Sequence, residues 1–192
     1  MIMKKEVVWA IKDKINELEK EIELEGREIE IRGNIYREIF PIKTIDFMMR
    51  GIDEEVIKEV WSNFDPWIAK ARTEYIIEKN SEKIEEVVSH LMADPNTRRA
   101  FIRSPDWFWP GHPECVVAVQ WIIRDRALHC FVFLRSSELR RALPYDIYTY
   151  VQMSKTILRK LWQKGFPQNL RLGFLRLFIS NLHILIEERS SL

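Results

Sequence analysis

Cysteine is scarce. Cys115 and Cys130 are the only two in 192 residues. Two cysteines do not build a disulfide framework in a chain of this length, and neither sits at the spacing of a metal-ligand motif. Net charge is also nearly absent. The formal value is +1, which leaves no basic field to hold nucleic acid and no acidic tail. No uninterrupted apolar run is long enough to span a bilayer. The opening MIMKKEVVWAIKDK lacks the apolar core and small-residue cleavage site of a secretory signal. These absences describe a soluble, reduced, cytoplasmic protein that uses neither nucleic acid nor membrane as a partner, with no metal site. What is present is enough for a core: 46% of residues are hydrophobic and 31% charged, the balance of one domain spanning residues 1–192. Seven tryptophans add large aromatics of the kind that line pockets or interfaces.

Periodicity predicts an α/β (α+β) domain. Val8, Ile11, Ile15, Leu18 and Ile22 recur at helical steps and predict a helix over Lys4–Leu24. REIEIRGNIYREIF, punctuated by Gly26 and Gly33, alternates as strands do. Asp53 opens a predicted helix through Asn63, and Pro66 another through about Tyr75. Ser81 is the expected cap of a third. Asp94-Pro95-Asn96 reads as a turn. Strands are expected over Arg99–Ile102, Val116–Ile123 and His129–Leu134, the last two joined as a hairpin through Arg124-Asp125-Arg126. The best helix is expected over Asp146–Trp162, with Asp146 at its N-cap. Leu172–Ile186 reads as one buried final strand.

Chemistry concentrates in two segments, PECVVAVQW at Pro113–Trp121 and FLRSSELRRALPYDI at Phe133–Ile147. They carry Cys115, Gln120, an Arg135-Ser136 pair and Asp146. One known chemistry uses residues at such intervals: a thiolate that adds to C6 of a pyrimidine nucleotide and so makes C5 nucleophilic. Such a site needs a thiol close to cationic groups. It needs an arginine clamp with a hydroxyl for the phosphate, a polar group that reads N3 and the 4-substituent, and a general base. Cys130 lacks such company and reads as core. Arg135 would end a core strand, CFVFL, so a ligand explains it better than the core does.

The spacing resembles the thymidylate synthase superfamily. Its Pro-x-Cys nucleophile motif with a glutamine five residues on is matched by Pro113, Cys115 and Gln120. Its phosphate-binding Arg-Ser, twenty residues past the cysteine, is matched by Arg135-Ser136. Its Pro-Phe-Asn, whose base-reading residue lies eleven past that arginine, is matched by Pro144-Tyr145-Asp146. Asp94-Pro95-Asn96-Thr97-Arg98-Arg99 is similar to a family turn whose two arginines reach the partner's phosphate site. His183-Ile184-Leu185 is similar to the family's His-Ile-Tyr strand. The match covers roughly 75–188 of the sequence.

The resemblance implies a three-layer fold with a large twisted mixed sheet, a homodimer, a pyrimidine nucleotide monophosphate as substrate, and 5,10-methylenetetrahydrofolate or a pterin analogue as carbon donor. By the same resemblance Cys115 is the nucleophile, and Glu59, in VIKEVW, the general base, with Glu55 as its alternative. Glu138 organises folate and water, and Trp67 flanks folate, the alternative for Trp67 being a core anchor. Tyr75 joins the site network and His183 binds a ribose hydroxyl. His112 and Trp107–Trp109, which come just before Cys115 in the sequence, are expected to wall the pocket. Aspartate at 146, where the family has asparagine, is similar to the dCMP and CMP hydroxymethylases. A carboxylate accepts from the 4-amino group of cytosine and can share a proton with N3, whereas an asparagine suits uracil. The alternatives are a short thymidylate synthase acting on dUMP and a non-catalytic nucleotide-binding dimer. Val116 and Leu185 replace the family's histidine and tyrosine, and Ala142-Leu143 its glycine. The end at Leu192 leaves little of the family's C-terminal lid, an expectation that suits hydroxymethylation, which must admit water.

Overall fold

A computed structural model describes residues 4–31, 33–39, 42–103 and 115–187. Helix α1, Lys4–Glu25, buries the anticipated stripe of Val8, Ile11, Ile15, Leu18 and Ile22. It stops at Gly26, where any side chain would collide: a Cβ there would lie 2.3 Å from the Ile22 carbonyl oxygen. The chain then turns directly into the hairpin of β1, Arg27–Ile31, and β2, Asn34–Ile39. A further strand, β3 (Lys43–Met48), was not anticipated. Its burial alternates cleanly, but six residues of KTIDFM give a weak period-two signal.

Three helices follow. Asp53 caps α2, Glu54–Val60, by accepting from the Val56 amide at 2.9 Å. This helix ends short of Asn63 because the Trp61 backbone turns extended. Asp65 caps α3, Pro66–Lys79, through the Trp67 and Ile68 amides; α3 runs a turn past Tyr75. In α4, Ser81–Ala93, Ser81 is the first helical residue and not the cap. Asn80 takes the cap position, with its side chain bonded back to Ile76 O at 2.8 Å. Asp94 closes the expected turn, accepting from the Thr97 amide on its backbone oxygen and from Asn96 on its side chain.

The remaining strands are β4 (Phe101–Arg103), β5 (Val116–Arg124), β6 (Ala127–Leu134), β7 (Ser137–Glu138), β8 (Arg171–Ile179) and β9 (Leu182–Glu187). Asp125 and Arg126 link β5 to β6 with positive φ at both positions, the mirror-image turn that matches strand twist. Helix α5, Leu143–Gln163, begins three residues before Asp146, so Asp146 lies inside the first turn and is not its N-cap.

The strands form two mixed sheets, ordered β1-β2-β9-β7 and β3-β8-β6-β5-β4. The expected α+β architecture is present, and its sheet is divided in two. The apolar stretch Leu172–Ile186 is likewise not one strand: β8 belongs to one sheet and β9 to the other. Ser180 and Asn181 interrupt them, their backbones bonding to Leu134 O and Ser137 N. Helix α5 packs on β6, β8, α3 and α4. It buries Ile147, Val151, Ile157 and Leu161, each a side chain whose burial is worth about 1.5–3 kcal/mol. Cys130 is fully buried in this core, and burial pushes its thiol upward. No described helix is long and apolar enough to cross a membrane.

Candidate active site

The stretch Arg135–Glu138 distributes four successive residues to four destinations. The Arg135 amide donates to Cys115 O at 2.8 Å. The Ser136 hydroxyl lies 3.4 Å from the Cys115 sulfur. Ser137 turns inward and donates to Asp146 Oδ2 at 3.3 Å. Glu138 turns the other way and accepts from the backbone amides of Arg140, Arg141 and Leu185. Alternation along β7 sends Ser137 and Glu138 to opposite sides, and pairing of β7 with β9 holds it there.

Cys115 is half-buried and reduced, at the mouth of β5. Five residues separate it from Gln120, which in a regular strand would put the two on opposite faces. A bulge between Val116 and Ala118 inserts one residue and cancels the odd interval. Cys115 therefore shares a face with Ala118 and Gln120, opposite Arg135, Phe133 and Phe131 of β6. Arg135 is exposed at the strand end. The Gln120 side chain donates to Arg98 O at 2.7 Å.

Arg98 and Arg99 are exposed and lie at the far end of this ladder, where Trp121 N bonds Ala100 O. With the bulge counted once, the residues opposite Trp121 and Cys115, which are Cys130 and Arg135, lie five residues apart, roughly 17 Å at 3.3 Å each. Within one chain, these arginines and the thiol stand apart.

Asp146 is 4% exposed. Its two oxygens accept from different groups: Oδ1 from Arg72 Nη2 at 3.1 Å, Oδ2 from Ser137. Burial pushes its carboxyl above the usual range, against the opposing pull of Arg72 and Ser137. Such a carboxyl can hold or release a proton while keeping lone pairs for a further donor. Arg72 and Ser137 were not singled out in the sequence. A carboxylate on the apolar side of the best helix demands a cation and a hydroxyl. That was the available signal, although nothing in PWIAKARTEY distinguishes Arg72 from Lys70. Tyr145 completes this corner, accepting from Asp65 N at 3.1 Å with the Arg72 guanidinium 5.8 Å from its ring.

His183 lies across from Glu38 on β2 and Glu138 on β7. Its Nδ1 is 2.9 Å from Asn181 Oδ1, and the Tyr36 ring meets it edge-on at 5.3 Å. Burial lowers its pKa, against the two glutamates, which raise it.

The remaining expected residues are more dispersed. Glu59 is exposed on α2, and its negative charge is felt at Lys4. Glu55 is tied to Lys4 in an exposed ion pair. The Trp61 indole donates to Leu139 O at 3.2 Å, docking α2 against the turn after β7. Trp67 is 77% exposed, so it is no core anchor. Tyr75 lies three residues beyond Arg72 on α3, with Lys79 5.5 Å from its ring centre. His112 and Trp107–Trp109 lie outside the described residues. Among the described residues no group of His, Cys, Asp and Glu is gathered as a metal site.

The family model for thymidylate synthase matches residues 3–185. The fold described above is consistent with it, and the chain belongs to that family.

Proposed function

We propose that this member of the thymidylate synthase family, a pyrimidine C5 one-carbon transferase, hydroxymethylates a cytosine nucleotide, CMP or dCMP. The observation that carries the reading is Asp146. Its buried carboxyl is gripped by Arg72 and Ser137 one residue from the Ser136–Cys115 pair. An asparagine cannot share a proton with N3 of cytosine; a carboxyl of raised proton affinity can.

In this reading Cys115 adds to C6 as a thiolate, with the Ser136 hydroxyl donating to the sulfur before addition. Arg135 and Ser136 hold the phosphate, joined by Arg98 and Arg99 of a second copy in a cytoplasmic homodimer. The distance from those arginines to Cys115 of their own chain supports that sharing. So do the exposed apolar residues Phe101, Phe133 and Met48 on the same sheet face as Cys115. Gln120 and Asp146 orient the ring, His183 takes a sugar hydroxyl, and Tyr75 and Glu59 serve proton and water movement.

The family uses methylenetetrahydrofolate. An indole as exposed as Trp67, at the start of α3, fits a flat pterin face. Trp67 would hold it, and Glu138, which braces the Arg140–Arg141 turn, would organise folate and water. When bound, methylenetetrahydrofolate or a pterin analogue supplies the one-carbon unit for C5.

The test is tritium release from C5-labelled CMP, dCMP and dUMP with methylenetetrahydrofolate. Release from a cytosine nucleotide alone supports both the thiolate chemistry and the role of Asp146. Release from dUMP alone keeps the transferase and overturns the substrate. Release from none, repeated with a second pterin carrier and with binding intact, leaves a non-catalytic nucleotide-binding dimer.

A further inference from the structure

We infer that Glu38 and Asn181 are positioning residues: together they hold His183 as the Nδ1–H tautomer, leaving a bare Nε2 to accept a hydrogen bond from a sugar hydroxyl. This rests on the reading of His183 as a sugar contact.

The direction of each bond in the chain is forced by the one before it. Arg27 meets Glu38 Oε1 through Nε at 2.8 Å and Nη2 at 2.7 Å. Burial opposes ionisation of Glu38, but the bonds from Asn181 and Arg27 outweigh it and hold the carboxyl below its usual range. A carboxylate only accepts. Asn181 must therefore turn its amide nitrogen toward Glu38 Oε2, as it does. That fixes the amide oxygen on the opposite branch, 2.9 Å from His183 Nδ1. An amide oxygen also only accepts, so Nδ1 carries the hydrogen and Nε2 of the neutral ring has none.

Two carboxylates flank this ring, and either could have drawn a second proton onto it. Glu38 is occupied by Arg27 and Asn181, and Glu138 by three backbone amides. Tyr36 presents only its ring edge. Burial then keeps the imidazole neutral. The Asn181 backbone also accepts from the ring, and among the described residues no side chain bonds Nε2.

The test begins with the free, full-length chain labelled with 15N-histidine. It has four histidines, and His183→Gln assigns the signal. The expected wild-type form is Nδ1–H; an Nε2–H or doubly protonated ring overturns the inference without any variant. Glu38→Gln should invert the chain. Arg27 then keeps the amide oxygen, the new NH2 faces Asn181, and Asn181 flips to present its own NH2 to Nδ1. His183 should become Nε2–H. A sugar hydroxyl both donates and accepts, so the switch reverses that bond instead of removing it: in the CMP or dCMP complex Nε2 should be bare in wild type and carry the hydrogen in Glu38→Gln. Adding Asn181→Asp gives an acceptor to both neighbours. The double variant should regain Nδ1–H, free and with nucleotide bound. No switch in Glu38→Gln, or no return to Nδ1–H in the double variant, overturns the inference. Neither readout depends on turnover. A chain that passes both yet releases no tritium would lose the hydroxymethylase reading and keep this one.

Discussion

Cys115 Sγ and Ser136 Oγ meet at 3.4 Å across 21 residues of sequence. The hydroxyl is placed to donate to the sulfur whenever the thiol has ionised. Cys115→Ala should abolish tritium release from a cytosine nucleotide while calorimetry still detects binding. Ser136→Ala should lower kcat about tenfold, the cost of one hydrogen bond to a charged group. Turnover that survives Cys115→Ala rules out the thiolate mechanism.

Asp146→Asn should move kcat/KM from cytosine toward uracil nucleotides, because an amide donates to O4 where the carboxyl serves N3. It also has a pH signature. The folded-state pKa of Asp146 lies above its unfolded value because of burial. The native state thus binds more protons, and the carboxyl costs stability as pH rises through and beyond its unfolded value of about 4. Relative to wild type, Asp146→Asn should gain stability from pH 4 upward in urea melts. A constant difference across that range contradicts the burial argument.

Arg98 and Arg99 make a prediction about subunit sharing. Cys115→Ala protein and Arg98→Ala/Arg99→Ala protein should each be poorly active alone. Mixed and refolded together, the hybrids restore one complete site, and activity should return to about a quarter of wild type. No recovery means the arginines serve their own chain.

Gly173 on β8 leaves room for the His129 ring of the neighbouring strand. A Cβ there would lie 2.5 Å from His129 Nδ1, the atom that accepts from the Phe174 amide at 3.2 Å. Gly173→Ala should cost about 1–3 kcal/mol by overpacking, read as a lowered denaturation midpoint. Adding His129→Ala should recover most of it.

The grouping of Cys115, Gln120, Arg135, Ser136 and Asp146 was visible in the sequence because they are local, occupying two short segments. Helix α1 was legible from its stripe, and the β5–β6 hairpin from its turn. What stayed hidden depends on distant parts of the chain. Arg72 reaches Asp146 across 74 positions and Asn181 reaches Glu38 across 143. No local pattern encodes such a pairing. β3 was missed for a similar reason: it is a short edge strand whose partner, β8, lies far along the chain. The division of Leu172–Ile186 was hidden because Leu and Ile continue on both sides of Ser180-Asn181. Only the separate partners of β8 and β9 mark the break.

Both sheets are closed by the last two strands pairing with early ones, β8 with β3 and β9 with β2. Neither sheet can therefore be completed on a ribosome until β8 and β9 have emerged. Contacts of such sequence separation make folding slow. Until β9 docks, β7 has no strand to pair with, and Ser136 and Ser137 lack the anchor that delivers them to the sulfur and to Asp146. Cys115 therefore meets its hydroxyl partner only after β9 has docked, and a nascent chain short of β9 carries the cysteine without that contact.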